Sequence, residues 1–196
     1  MTAKAALSDE RGRVPLTEGR MRANGLKQQE KNVRWTVIIL GVDPGIATVG
    51  YGVISAEGGT FRALEYGAII TPAHTLLEAR LEKIYDDLIA IMKRHKPHFV
   101  AVEELFFNKN VKTAVDVAQG RGVILLAARK CGIDLYEYTP LQVKQSLVGY
   151  GRAEKTQIMY MTKLMLGLSE TPKPDDTADA LAIAICHANS MMHSVR

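Results

Sequence analysis

The sequence predicts an α/β domain built on a mixed, five-stranded β-sheet flanked by α-helices, and three observations carry that reading. Three strand-like segments follow one another over 36–70, two further short apolar strands appear later, and long helical stretches separate and follow those two. The order βββ-α-β-α-β-α-α-α is that of a sheet covered by helices.

Each element has its own signal. "TVIILGVD" (36–43) is a continuous apolar run of the kind buried on both faces of a sheet. "TVGYGVISAE" and "FRALEYGAII" form the second and third strands, with Gly58–Gly59 as the hairpin between them. "LLEARLEKIYDDLIAIMKRH" repeats apolar residues at helical spacing (Leu77, Leu81, Ile84, Leu88, Ile91) and carries its charges on the other face. "HFVAVEE" is a fourth strand that ends in acid. The next helix spans 111–132 and closes on Gly132 as a C-cap. "IDLYEYTP" is a fifth strand stopped by Pro140. "LQVKQSL" and "AEKTQIMYMTKLML" are helical and joined by the loop "VGYGR"; a last helix starts after Pro174.

The 196 residues are 47% hydrophobic, enough for one domain with a real core plus additional chain. Residues 1–35 are polar and without periodicity, which predicts a disordered or appended N-terminal extension ahead of a domain over 36–196. No apolar run approaches the ~20 residues of a membrane span, and no secretory h-region is present. Cys131 and Cys186 lack metal spacing and read as reduced core residues of a cytoplasmic protein. Of the 25 basic and 21 acidic residues, eight and four lie in 1–35, which leaves seventeen of each sign for 36–196. Net charge therefore does not argue for a nucleic-acid partner. Local charge does: 105–155 holds eight basic residues against four acids.

Four carboxylates stand where structure alone gives little reason for them. Asp43 ends the first strand and Glu103 ends the fourth. Asp176 and Asp179 lie at i and i+3 on the last helix and so share a face. If the first and fourth strands are neighbours and that helix packs beside them, the four acids converge. A cluster of like charges at such range requires cations, and an all-oxygen set suits a hard divalent ion such as Mg²⁺. Two such ions ~4 Å apart activate a water and stabilise the leaving oxygen of a phosphodiester. Taken singly, Asp43, Glu103 and Asp176 have plain explanations as a turn former, a strand end and a helix-start residue, and Asp175 takes the capping role. Asp179 fits none of these, because it lies inside the apolar "TADALAIAI".

The stretches "GVDPGIATVGYGVI", "AVEELFFNKN", "AQGRGV", "VKQSLVGYGRAEK" and "DDTADALAIAI" resemble, in order, the RuvC family of bacterial Holliday-junction resolvases over roughly 37–192. The resemblance implies a ribonuclease H-like fold, a homodimer, and paired Mg²⁺-dependent hydrolysis of DNA four-way junctions in recombination and repair. It implies two ions per site with Mn²⁺ as a substitute, and the RuvA–RuvB branch-migration complex as partner. By position the catalytic metal ligands are Asp43, Glu103, Asp176 and Asp179, the acids already reached from placement. Lys144 and Lys155, on either side of the "GYG" loop, match the family's two lysines near the active site. "LFFNKN" holds two adjacent aromatics, one for the core and one free to stack on a base, between which the residues alone do not choose; the resemblance selects Phe106 as the free one. The helix over 111–130, with Ala114, Ala118, Gly120 and Gly122, is a candidate dimer seam. Equally, these small residues suit packing against the protein's own sheet.

Three other readings compete. A strand-turn-strand with Asp-x-Gly also opens actin-like ATPases and sugar kinases, but those need two such halves and this chain offers one. A binding-only protein on an inactive nuclease fold would lack at least one of the acids. A relative that cuts RNA or other branched DNA has the same fold and acids. His95 and His98, in "HKPH", read as a helix-to-strand turn, and His187 as a core or surface residue.

Overall fold

The computed structural model of this chain describes residues 36–104 and 111–194. The expected N-terminal extension, 1–35, lies outside the described residues, and so does Phe106. The strands are β1 (Val37–Asp43), β2 (Thr48–Glu57), β3 (Thr60–Ile70), β4 (Phe99–Glu103) and β5 (Asp134–Tyr138). The helices are α1 (Leu77–His95), α2 (Val111–Lys130), α3 (Pro140–Val148), α4 (Lys155–Met165) and α5 (Asp175–Ser194).

The five strands form one sheet in the order β3-β2-β1-β4-β5. β1, β2 and β3 pair antiparallel, and the hairpin between β2 and β3 turns on Gly58 and Gly59, both at positive φ. β4 and β5 run parallel to β1, reached through the crossovers that α1 and α2 supply. The continuous apolar run of β1 is explained by its central place, since it is covered on both faces. Leu40, Val42, Val100 and Val102 pack with Ile84 and Leu88 of α1 and Ile124 of α2. Ile39 and Ala101 face the other way, into a layer with Val143 of α3, Ile158 of α4, and Leu181 and Ile185 of α5.

Helix ends follow their local chemistry. Gly132, at φ 68°, closes α2: its N–H donates to the Arg129 carbonyl and that of Ile133 to the Ala128 carbonyl. Pro140 does more than stop β5, because it is the first residue of α3. Thr139 before it accepts from the Gln142 N–H, and the Gln142 side chain accepts from the Thr139 N–H in return.

α5 lies unusually close to the sheet. A Cβ on Gly41 would sit 2.0 Å from the Ala180 carbonyl oxygen, and one on Gly50 would sit 1.9 Å from that of Asp176. Only glycine permits backbone to meet backbone at this range. On the opposite side Gly120 of α2 meets the Gly45 carbonyl, so that small residue packs on the protein's own β1–β2 turn rather than at an outer seam. The turn is also braced by Thr71, whose hydroxyl donates to the Ile46 carbonyl at 2.5 Å and accepts from Arg80 Nε at 2.7 Å.

The Gly41→Ala variant should therefore lose about 1–3 kcal/mol of stability or more, the usual cost of overpacking. Urea unfolding measures it; unchanged stability would mean that α5 moves away from the sheet without cost.

Candidate active site

The parallel register of β1 and β4 matches Val42 with Val102, so Asp43 and Glu103 stand side by side at the ends of neighbouring strands. Side chains alternate along a strand. Ile39 and Ala101 face the α5 layer, and Asp43 and Glu103 face it with them. Asp43 pairs across β2 with Gly50, the residue under the Asp176 backbone. The first turn of α5 is thus held over the acidic end of the sheet, and Asp179 follows one turn later on the same face.

The electrostatics record the crowding. Burial, and then the charges of Glu103, Asp179 and Asp176, push the Asp43 carboxyl up to about 8. Burial also raises Glu103, with Asp179 adding to the shift; a hydrogen bond from the Asp43 side chain opposes it. Asp179 is raised by burial and drawn back by Lys155. Lys155 Nζ lies 3.0 Å from Asp179 Oδ2 and 3.3 Å from Asp175 Oδ2. Burial alone would lower the Lys155 ammonium, but these two bonds together hold it above its ordinary value.

The structure thus brings Asp43, Glu103, Asp176, Asp179 and Lys155 into one interacting group. Lys144, half-buried on α3, is not among the charges that act on these acids and makes no ion pair among the described residues. Asp175, expected to cap α5, is instead that helix's first residue and a partner of Lys155. The sequence held a signal that Lys155 needs an anion, though not which one. Lys155 is the first residue of α4, an end that disfavours cations, so a nearby anion has to compensate. Arg121, one of the basic residues counted toward DNA, is engaged by Glu137 of β5. His187 is a core residue: its Nδ1 lies 2.7 Å from the Tyr138 hydroxyl, and burial pushes it down to about 4.

The donor set fits a hard divalent cation: four carboxylates and no nitrogen or sulfur, in a partly desolvated corner that opposes their shared charge. As the side chains stand, no group of three acids, histidines or cysteines among the described residues is arranged to hold an ion. Lys155 and the Asp43–Glu103 hydrogen bond supply the compensation instead.

A mixed sheet with three antiparallel strands, two parallel ones and helices on both faces, closed at one end by acids, defines the ribonuclease H-like class. Within it the model of the family "Crossover junction endodeoxyribonuclease RuvC" matches residues 39–187. The chain belongs to the RuvC family. A relative from Desulfitobacterium hafniense, named crossover junction endodeoxyribonuclease RuvC, is 57% identical over 155 residues, 79% of this chain and 94% of the relative. The Thermus thermophilus RuvC structure is 37% identical, with a TM-score of 0.76, over 81% of this chain and 97% of that one. A T. thermophilus RuvC in complex with Holliday junction substrate is 35% identical, with a TM-score of 0.75, over 80% and 96%.

The raised Asp43 gives a pH signature in the metal-free protein. A carboxyl with a folded pKa of about 8, against an ordinary 3.8, stabilises the fold fully below pH ~4 and loses that contribution as pH rises through 8. Glu65, held down at about 2 mainly by bonds from His95 and Arg94, loses its contribution only as pH falls below ~4.5. With chelator present, the thermal midpoint should fall between pH 6.5 and 8, above the range in which neutral, buried His187 gains stability as pH rises, and Asp43→Asn should flatten that fall. A wild-type profile flat over this range would contradict the crowding.

Proposed function

We propose that this chain is a structure-selective endonuclease that resolves Holliday junctions by hydrolysing phosphodiester bonds, with Asp43, Glu103, Asp176 and Asp179 as the residues that perform the chemistry. The observation that carries the reading is their meeting at the ends of β1 and β4 under the first turns of α5, in a chain that belongs to the RuvC family. That a homologous RuvC has been seen with Holliday junction substrate supports the choice of substrate.

These four acids would hold magnesium, two ions per site with manganese as a substitute, and such ions when bound supply an activated water and charge stabilisation at the leaving oxygen. The chain's own residues prepare for this. Asp43 and Glu103 are fixed on strands and so cannot relax apart, and Asp176 and Asp179 are fixed by the glycine contacts under α5. Lys155 neutralises Asp179 in the free protein and is placed to move onto a phosphate once the acids are otherwise compensated. The products are 5′-phosphate and 3′-hydroxyl ends.

The remaining assignments belong to the same proposal. Lys144 contacts the DNA backbone from the far side of the "GYG" loop, and Phe106 stacks on bases at the crossover. Residues 36–196 are the resolvase domain, and 1–35 are an appended extension. The protein acts in the cytoplasm as a homodimer and receives junctions from the RuvA–RuvB branch-migration complex. A junction needs two matched nicks, and the described residues of one chain hold one such acidic cluster. The outward stripe of α2 — Val115 and Leu126, each 49% exposed, with Gly122 open between them — is the proposed seam.

Cleavage of a synthetic four-way junction beside linear duplex of the same sequence tests the reading. Wild-type protein with Mg²⁺ should cut the junction and spare the duplex. Asp43→Asn should lose cleavage by more than about a hundredfold, beyond the usual cost of a supporting residue at a metal site. It should keep junction affinity, because it removes a negative charge from a surface that meets phosphates. Cleavage at the wild-type rate by that variant under saturating Mg²⁺ would overturn the assignment.

A further inference from the structure

Asp175 stands beside the acidic corner without belonging to it. It is the first residue of α5 and lies four residues before Asp179, so the two carboxylates share one face of the helix a turn apart. Asp179 is the inner of the two, its side chain 31% exposed against 58% for Asp175. Glu103, Asp179 and Asp176 all act on the Asp43 carboxyl, and Asp175 is not among them. The Lys155 ammonium spans the pair, 3.0 Å from Asp179 Oδ2 and 3.3 Å from Asp175 Oδ2. One cation thus rests on two rungs, of which only the inner one is part of the acidic group.

Fold stability does not explain this arrangement. Lys155 is the first residue of α4, where the helix dipole disfavours a cation. The capping box of that helix is made by Glu154 and Gln157, so the lysine adds nothing to its start. The Lys155–Asp175 pair is half-exposed, and ion pairs of that kind contribute little to the fold. Asp175 does gain from the positive end of α5, but that gain needs no lysine from another helix.

We propose that Asp175 is a positioning residue for Lys155: it keeps the ammonium at the mouth of the acidic corner when the lysine leaves Asp179, so that Lys155 meets a DNA phosphate there. The inference rests on the endonuclease reading above and assigns Asp175 a part in it. A lysine carries a compact charge on a flexible four-carbon stem, and freed from Asp179 with no second partner it would regain its rotamers and turn to solvent. The outer rung prevents this without occupying the ammonium, because one bond to Asp175 leaves two N–H groups for a phosphate oxygen. Asp175 acts through the lysine and touches no reacting atom.

Crystals of the metal-free Asp179→Asn variant of the full chain isolate the outer rung. Lys155 Nζ should stay within about 4 Å of the Asp175 carboxylate, the range of an ion pair, and a further Asp175→Asn change should release it to solvent. A lysine already off Asp175 in the Asp179→Asn crystals would overturn the proposal. Single-turnover cleavage of a synthetic four-way junction at saturating Mg²⁺ reads the consequence. Asp175→Asn should slow cleavage by about tenfold, the low end for residues that orient groups at a metal site, and Asp175→Glu should recover most of the rate. In a Lys155→Gln background the same Asp175→Asn change should alter the rate by less than about twofold. Wild-type cleavage by Asp175→Asn, or an undiminished loss in the Lys155→Gln background, would also overturn it. A wild-type chain that cuts no junction would remove the endonuclease reading instead, while the crystals still decide where Lys155 is held.

Discussion

The contact between α5 and the sheet sets the terms for everything else in this structure. Backbone approaches backbone where Gly41 and Gly50 lie beneath Ala180 and Asp176, and this sets the helix's acids close over the end of the sheet. Two strands bring Asp43 and Glu103 together by register, and the helix adds Asp176 and Asp179 from above. The fold thus spends stability to concentrate negative charge, visible in the raised Asp43, Glu103 and Asp179. A site held in this way favours any cation that enters, and Lys155 already answers that demand in part.

The remaining elements support that contact. α2 presses Gly120 on the turn that follows Asp43, and Thr71 with Arg80 locks the same turn from β3 and α1. α3 and α4 share the layer under α5, and α4 delivers Lys155 at its first turn. Glu65 fastens α1 to the edge strand through a two-pronged bond from Arg94 and a 2.7 Å contact with His95. The acidic end of the sheet is therefore braced from several elements, as a hydrolytic centre requires.

Much of this was legible in the residues. Strands that are apolar until a terminal acid point to Asp43 and Glu103, because a charge at the end of a buried strand is costly unless something pairs with it. The i, i+3 spacing discloses the shared face of Asp176 and Asp179. Other features depend on tertiary distance and leave weak marks. Glycines 41 and 50 resemble ordinary strand glycines until α5 is laid over them. Gly120 and Gly122 look alike in the sequence, yet one meets the Gly45 carbonyl and the other meets open space. Asp175 reads as a cap by position, and only the location of α4 turns it into a partner for Lys155.

In the proposed function, the acidic corner exchanges its internal compensation for divalent cations. Anomalous diffraction from crystals of the full chain grown with Mn²⁺ at pH 8 addresses it directly. A peak is expected between the Asp43 and Glu103 carboxylates at about 2.1 Å from their oxygens, with Lys155 drawn off Asp179. Manganese bound elsewhere only, with Lys155 still on Asp179 and the Asp43–Glu103 hydrogen bond intact, would contradict it.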